Sequence, residues 1–83
     1  MTDKDLAVAI VENALKYHNE DSEYPPSLVI DKEDYSDFDM VKVEEELQVY
    51  GFHLIDGKDA PPPFSEMDEE FKAKKWYIYQ ISK

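Results

Sequence analysis

The 83-residue chain contains no cysteine and no arginine, and only two glycines. Without cysteine there is no disulfide framework and no thiolate site for zinc. Without arginine no planar guanidinium is available to clamp a phosphate, a carboxylate or a guanine through paired hydrogen bonds. Every fixed cation is a lysine point charge. The two glycines do not make a phosphate-cradling loop: Gly51 falls where a helix should end and Gly57 in a turn after Asp56. No apolar run approaches the roughly 20 residues of a membrane span, and the first residues lack the basic-then-apolar pattern of a secretory signal. A cytoplasmic location is the expectation.

Positive charge is scarce as well. Nine lysines stand against 20 acidic side chains, giving a net charge of −11. Between Glu20 and Glu46 there are 11 acids and only Lys32 and Lys42, whereas Phe71 to Lys83 carries Lys72, Lys74, Lys75 and Lys83 with no acid. The net charge opposes binding to duplex nucleic acid, a dense polyanion, and to an anionic membrane surface. The polarisation points instead to a partner selected by electrostatics, a basic protein surface. Composition also excludes disorder. A hydrophobic fraction of 42% with 13% aromatics supplies a modest core, so residues 1–83 read as one small domain.

The helix and strand signals follow in order. Thr2 and Asp3 can cap a helix whose apolar positions are Leu6, Ala7, Ile10, Val11, Ala14, Leu15 and His18. With Val8 and Tyr17 these cover a wide arc, wide enough for two faces of one domain or for a second chain. Pro25-Pro26 forbids continuation of that helix, and Ser27–Ile30 reads as a short buried strand. Ser36 with Asp39 three residues on resembles a capping box, predicting a second helix to Tyr50 with Gly51 at its end and Met40, Val43, Leu47 and Tyr50 as its buried stripe. Phe52–Ile55 is a second strand. Residues 56–70 form a proline-rich acidic loop, stiff and extended at Pro61–Pro63, with one helical turn or an acidic loop from Ser65 to Phe71. Lys75–Ser82, rich in Trp, Tyr and Ile, is the clearest strand.

The expected fold is therefore α+β: two main helices on a two- or three-stranded antiparallel sheet, in the order α-β-α-β-β. That order resembles the outline of a winged helix, with Phe52–Ile55 and Lys75–Ser82 as the hairpin. The resemblance implies a helix in the recognition position, and the helix that stands there is acidic where a DNA reader is basic. A sandwich of helices on one antiparallel sheet fits the same order.

The sequence contains no arrangement of catalytic groups. His18 lies at the end of the first helix's apolar arc and His53 on a strand, facing away from Phe52 and Leu54. Neither sits in a Ser-His-Asp, paired-acid or zinc-ligand pattern. No catalytic residue, cofactor or metal is expected. The run Asp31, Glu33, Asp34, Asp37 and Asp39 is dense in oxygen ligands but lacks the spacing and central glycine of a calcium loop, so divalent-cation binding is a lesser alternative. Strand alternation puts Lys75, Tyr77, Tyr79, Ile81 and Lys83 on one face of the last strand. Lysines interleaved with tyrosines make a surface for a partner strand or for stacked single-stranded nucleic acid. The simpler reading places one face of that strand in the core, with the tyrosines and lysines covering the other.

The second helix carries the strongest functional signal. Asp37, Glu44 and Glu45 lie on one flank and Asp39 and Glu46 on the other, with Phe38, Val41 and Val49 between them, away from the core stripe. Carboxylates around exposed apolar groups are how binding surfaces combine affinity with steering. The expected function is a non-enzymatic interaction module that binds or inhibits a basic, nucleic-acid-handling protein. Small acidic nuclease inhibitors and bacteriophage-encoded or bacterial accessory proteins occupy that physical niche. The alternative is a structural homodimer or accessory subunit joined through the first helix.

Self-repulsion among the 20 carboxylates weakens the fold at low ionic strength, so moderate salt should raise the melting temperature at neutral pH. A melting temperature that stays fixed or falls with added salt would show that the acids are compensated locally.

Overall fold

A computed structural model describes residues 2–81. Helix α1 (Asp3–Lys16) begins at Thr2 with a reciprocal capping box. The Asp5 N–H donates to the Thr2 hydroxyl and the Thr2 N–H donates to the Asp5 carboxylate. Hydrogen bonds from the Thr2 backbone and side chain hold the Asp5 carboxyl below its ordinary range. Strand β1 (Ser27–Asp31) follows, then a 3-10 turn at Glu33–Tyr35 and helix α2 (Met40–Val49). Strand β2 (Phe52–Asp56) leads through 3-10 turns at Gly57–Asp59 and Phe64–Glu66 to a short helix α3 (Glu69–Ala73) and strand β3 (Lys75–Gln80). The α+β class and the order α-β-α-β-β are as expected, with α3 as the added helix.

Helix α2 starts three residues later than the capping-box reading places it. Asp39 is extended and its carboxylate accepts from the Val41 and Lys42 N–H groups, so Asp39 and not Ser36 is the N-cap. The backbone before it is held in turns, with the Phe38 N–H donating to the Tyr35 carbonyl. Asp37 and Phe38 therefore precede the helix. Gly51 follows the C-cap with φ of +80°, the left-handed conformation that glycine adopts without steric cost.

β3 is the central strand, antiparallel to β1 on one side and β2 on the other. The β2–β3 pairing implied by the winged-helix outline is present. One face of the sheet carries Leu28, Ile30, Leu54, Phe52, Trp76 and Ile78 toward α1 and α2. There they meet Leu6, Ala7, Ile10, Val11, Ala14, Val43 and Leu47. Burying Phe52, Leu47, Ile78 and Val43 completely contributes about 1.5–3 kcal/mol each. The apolar arc of α1 is thus filled largely within its own domain, against α2 and the sheet. Leu15 and Tyr17, expected on the same arc, are exposed, as is Tyr50 at the end of α2. In β1 only Ile30 is buried, with Leu28 half-buried beside it.

The other face of the sheet is not bare. Residues 57–74 fold back across it and make a second small cluster around Tyr77, which Phe64 stacks on at 5.6 Å between ring centroids, with Phe71 against Phe64 at 6.1 Å. The proline run is not extended as expected: Pro63 is in the right-handed helical region and opens the turn at Phe64–Glu66. Lys72 ties this layer down. Only 4% exposed, its ammonium donates to the Ser65 carbonyl and the Glu69 carboxylate, both at 2.8 Å. These bonds compensate a desolvated charge, as a buried ammonium requires. Gly57 serves this layer too, through close approach rather than through a turn conformation.

A Cβ on Gly57 would overlap the Lys72 carbonyl and stand 2.9 Å from the Lys75 carbonyl oxygen. Since both obstacles are backbone, Gly57→Ala should destabilise the protein by about 2–3 kcal/mol in chemical denaturation. An unchanged midpoint would mean that residues 57–74 shift away from the sheet at little cost.

Candidate acidic interaction surface

Helix α2 separates its buried stripe from an outward row. Val43 and Leu47 point into the core, which sends Val41, Glu45 and Val49, spaced four residues apart, along the opposite side. Val41 and Val49 are 70% and 76% exposed. Glu44 lies on the flank toward β2, where its carboxylate accepts from Gln48 at 3.3 Å and stands 3.8 Å from His53 Nδ1. Glu46 occupies the other flank, half-buried. Of the residues expected on this face, Val41, Glu44, Glu45, Glu46 and Val49 share the helix. Asp37 is exposed just before it. Phe38 does not belong to the exposed centre: it packs against the core beside Tyr35, ring centroids 6.0 Å apart. Its side chain is drawn in because the turn before Asp39 places it under the helix start.

The strand surface of lysines and tyrosines is not available as expected. Tyr77 is buried beneath Phe64. Lys75 is paired with Asp31 across the β1–β3 ladder and lies over the Phe71 ring at 4.8 Å. Tyr79 is half-buried, edge-on to His53 at 5.8 Å. Lys83 lies outside the described residues. What sequence alternation misses is the fold-back of residues 57–74, since nothing in the periodicity of β3 signals a second covering layer.

The acidic run after β1 disperses. Asp31 goes to Lys75, Asp39 caps α2, and Glu33, Asp34 and Asp37 face solvent. Among the described residues no three His, Asp or Glu side chains converge as a group able to hold a metal ion, and no helix is long and apolar enough to cross a membrane.

One ionic contact sits close to this surface. Lys32, just beyond β1, reaches over the Trp76 ring of β3, 4.7 Å from its centroid, to Asp56 at the end of β2 at 2.8 Å. It thereby spans all three strands. Burial pushes the Asp56 carboxyl up, but the hydrogen bonds from Lys32 and the Lys58 N–H and the charges of both lysines outweigh it, so the carboxyl is held below its ordinary range. Beside it a cleft of about 210 Å³ runs between α2 and β2, with Val41, Glu44, Asp56 and Trp76 among its walls. The chain matches no family model, no curated protein and no solved structure.

A carboxyl lowered on folding stabilises above its ordinary value of 3.8 and loses that contribution as pH falls through its lowered value. Asp56→Asn should therefore destabilise the fold at pH 7 by about 1 kcal/mol, discounted for partial exposure. The gap between variant and parent should close as the pH falls below the lowered value of the Asp56 carboxyl. A gap independent of pH would show that the Lys32–Asp56 charge contact contributes nothing.

Proposed function

We propose that this protein is a cytoplasmic, non-enzymatic interaction module that binds, and by binding inhibits, a basic protein of the nucleic-acid-handling kind. The observation that carries this reading is the outer row of α2. Val41 and Val49 are among the most exposed large apolar side chains described, and they bracket Glu45 with Glu44 and Glu46 on either flank. Apolar groups held open to water within a carboxylate rim supply a desolvating centre and a steering field together.

The charge distribution supports the same reading. Three of the nine lysines that could offset the acids are engaged elsewhere: Lys72 inside the second layer, Lys75 with Asp31, Lys32 with Asp56. Lys42 is the one lysine on α2, against three glutamates. The field over this helix is therefore acidic, and a partner rich in lysine or arginine gains association rate from it.

The test is capture from a cell lysate at low and at moderate salt, comparing the parent with a Glu44→Lys, Glu45→Lys, Glu46→Lys variant. A basic protein should be retained at low salt, released by moderate salt, and bound at least tenfold more weakly by the variant. Equal retention by parent and variant would rule out this face.

A further inference from the structure

Two strands border the sheet, and their outer edges differ. Hydrogen bonds from the Gln80 N–H to Pro26 and from the Lys32 N–H to Lys74 fix the phase of the β1–β3 ladder. Pro26, Leu28, Ile30 and Lys32 turn their backbone groups toward β3, so Ser27, Val29 and Asp31 turn theirs outward. On β2 the Ile81 N–H bond to Gly51 fixes the opposite set, leaving Phe52 and Leu54 with outward backbone groups. Phe52 and Leu54 are 1% and 4% exposed, so that edge is covered. Ser27 is exposed, Val29 is 37% exposed and Asp31 is half-buried. No described segment pairs with them. The edge of β1 is the open one.

A cleft of about 380 Å³ lies along this edge. Ile30 and Tyr35 line it on the helix side of the sheet and Val29, Phe71 and Lys75 on the other; the Asp31 carboxylate is paired with Lys75, which leaves Asp34 as the unpaired acid of the cleft. An added strand alternates its side chains between those two sides. Residues opposite Val29 would meet Phe71, and their neighbours would meet Ile30, Tyr35 and the carboxylate of Asp34. Asp34 is exposed and has no ion-pair partner among the described residues. A second copy of the chain would bring another net charge of −11 to the contact, and that repulsion disfavours self-pairing.

We propose that the outer edge of β1 takes up an extended segment of a protein partner as a fourth strand, the segment alternating apolar residues with lysine or arginine. This rests on the basic-partner reading above and names a second element through which that partner is held. Main-chain bonds to Val29 and to the flanking Ser27 and Asp31 give the segment its register, the Phe71 side takes its apolar residues, and Asp34 takes a cation.

The probe is a ten-residue peptide alternating lysine and valine, together with the same peptide N-methylated at alternate backbone nitrogens. Val29→Pro is the matching change in the protein, because the Val29 N–H points outward and its loss leaves the β1–β3 ladder intact. Binding of the plain peptide should slow hydrogen exchange at the Val29 and Asp31 amides at least tenfold. N-methylation and Val29→Pro should each weaken it at least tenfold. Should Val29→Pro fail to fold, the N-methylated peptide decides alone. Equal binding by both peptides, with the β1 amides still exchanging freely, would overturn strand addition and leave the α2 reading standing. Absence of any binding would overturn it too, while the lysate capture with the α2 variant judges the basic-partner reading separately. Concentration-dependent protection of the same amides in the free protein would overturn the choice of occupant in favour of a second copy.

Discussion

The backbone groups of β3 alternate between two partners, those of Trp76, Ile78 and Gln80 bonding toward β1 and those of Tyr77 and Tyr79 toward β2. β1 and β2 have no ladder with each other, so the sheet exists only through this strand. Its side chains divide in the same way: Trp76 and Ile78 join the core formed by α1 and α2, while Tyr77 anchors the layer made by residues 57–74. A helix layer, a sheet and a loop layer are thereby fastened along six residues. All the strand pairings join segments distant in sequence, an arrangement that forms slowly compared with local helix contacts.

The lysines illustrate why charge counted along a chain differs from charge presented at a surface. The stretch from Phe71 onward looks basic, yet Lys72 is sealed between Ser65 and Glu69, and Lys75 lies against Asp31 and the Phe71 ring. Lys32 is similarly tied to Asp56 over Trp76. These contacts add side-chain links between the strands and within the second layer. These three lysines act as internal fasteners, and on the exterior the acids outnumber the lysines that remain.

Much of the fold was legible because its signals were local. Thr2 as a cap, the i, i+3, i+4 spacing of Leu6, Ala7, Ile10, Val11 and Ala14, Gly51 after α2, and the Trp-Tyr-Ile content of β3 each reflect short-range stereochemistry. What was hidden depends on tertiary contact. Asp39 outcompetes Ser36 as a cap because the chain before it turns. Phe38 is inside because of where that turn lies. Tyr77 is buried because residues 57–74 return over it, and Gly57 matters through the Lys72 carbonyl fifteen positions later. The acidic row on α2 was partly readable: Val41, Glu45 and Val49 follow helical spacing, whereas the open edge of β1 follows from ladder phase and carries no sequence mark.

The chain has one tryptophan, and its position gives the protein an intrinsic optical reporter. The indole of Trp76 sits on the central strand, opposite Ile30 and Asp56, beneath the Lys32 ammonium. A cation poised over an indole perturbs its excited state electrostatically, and that cation is in place only when both outer strands are docked. Emission from this single fluorophore thus registers the joint assembly of three strands from separate parts of the chain, with no label added.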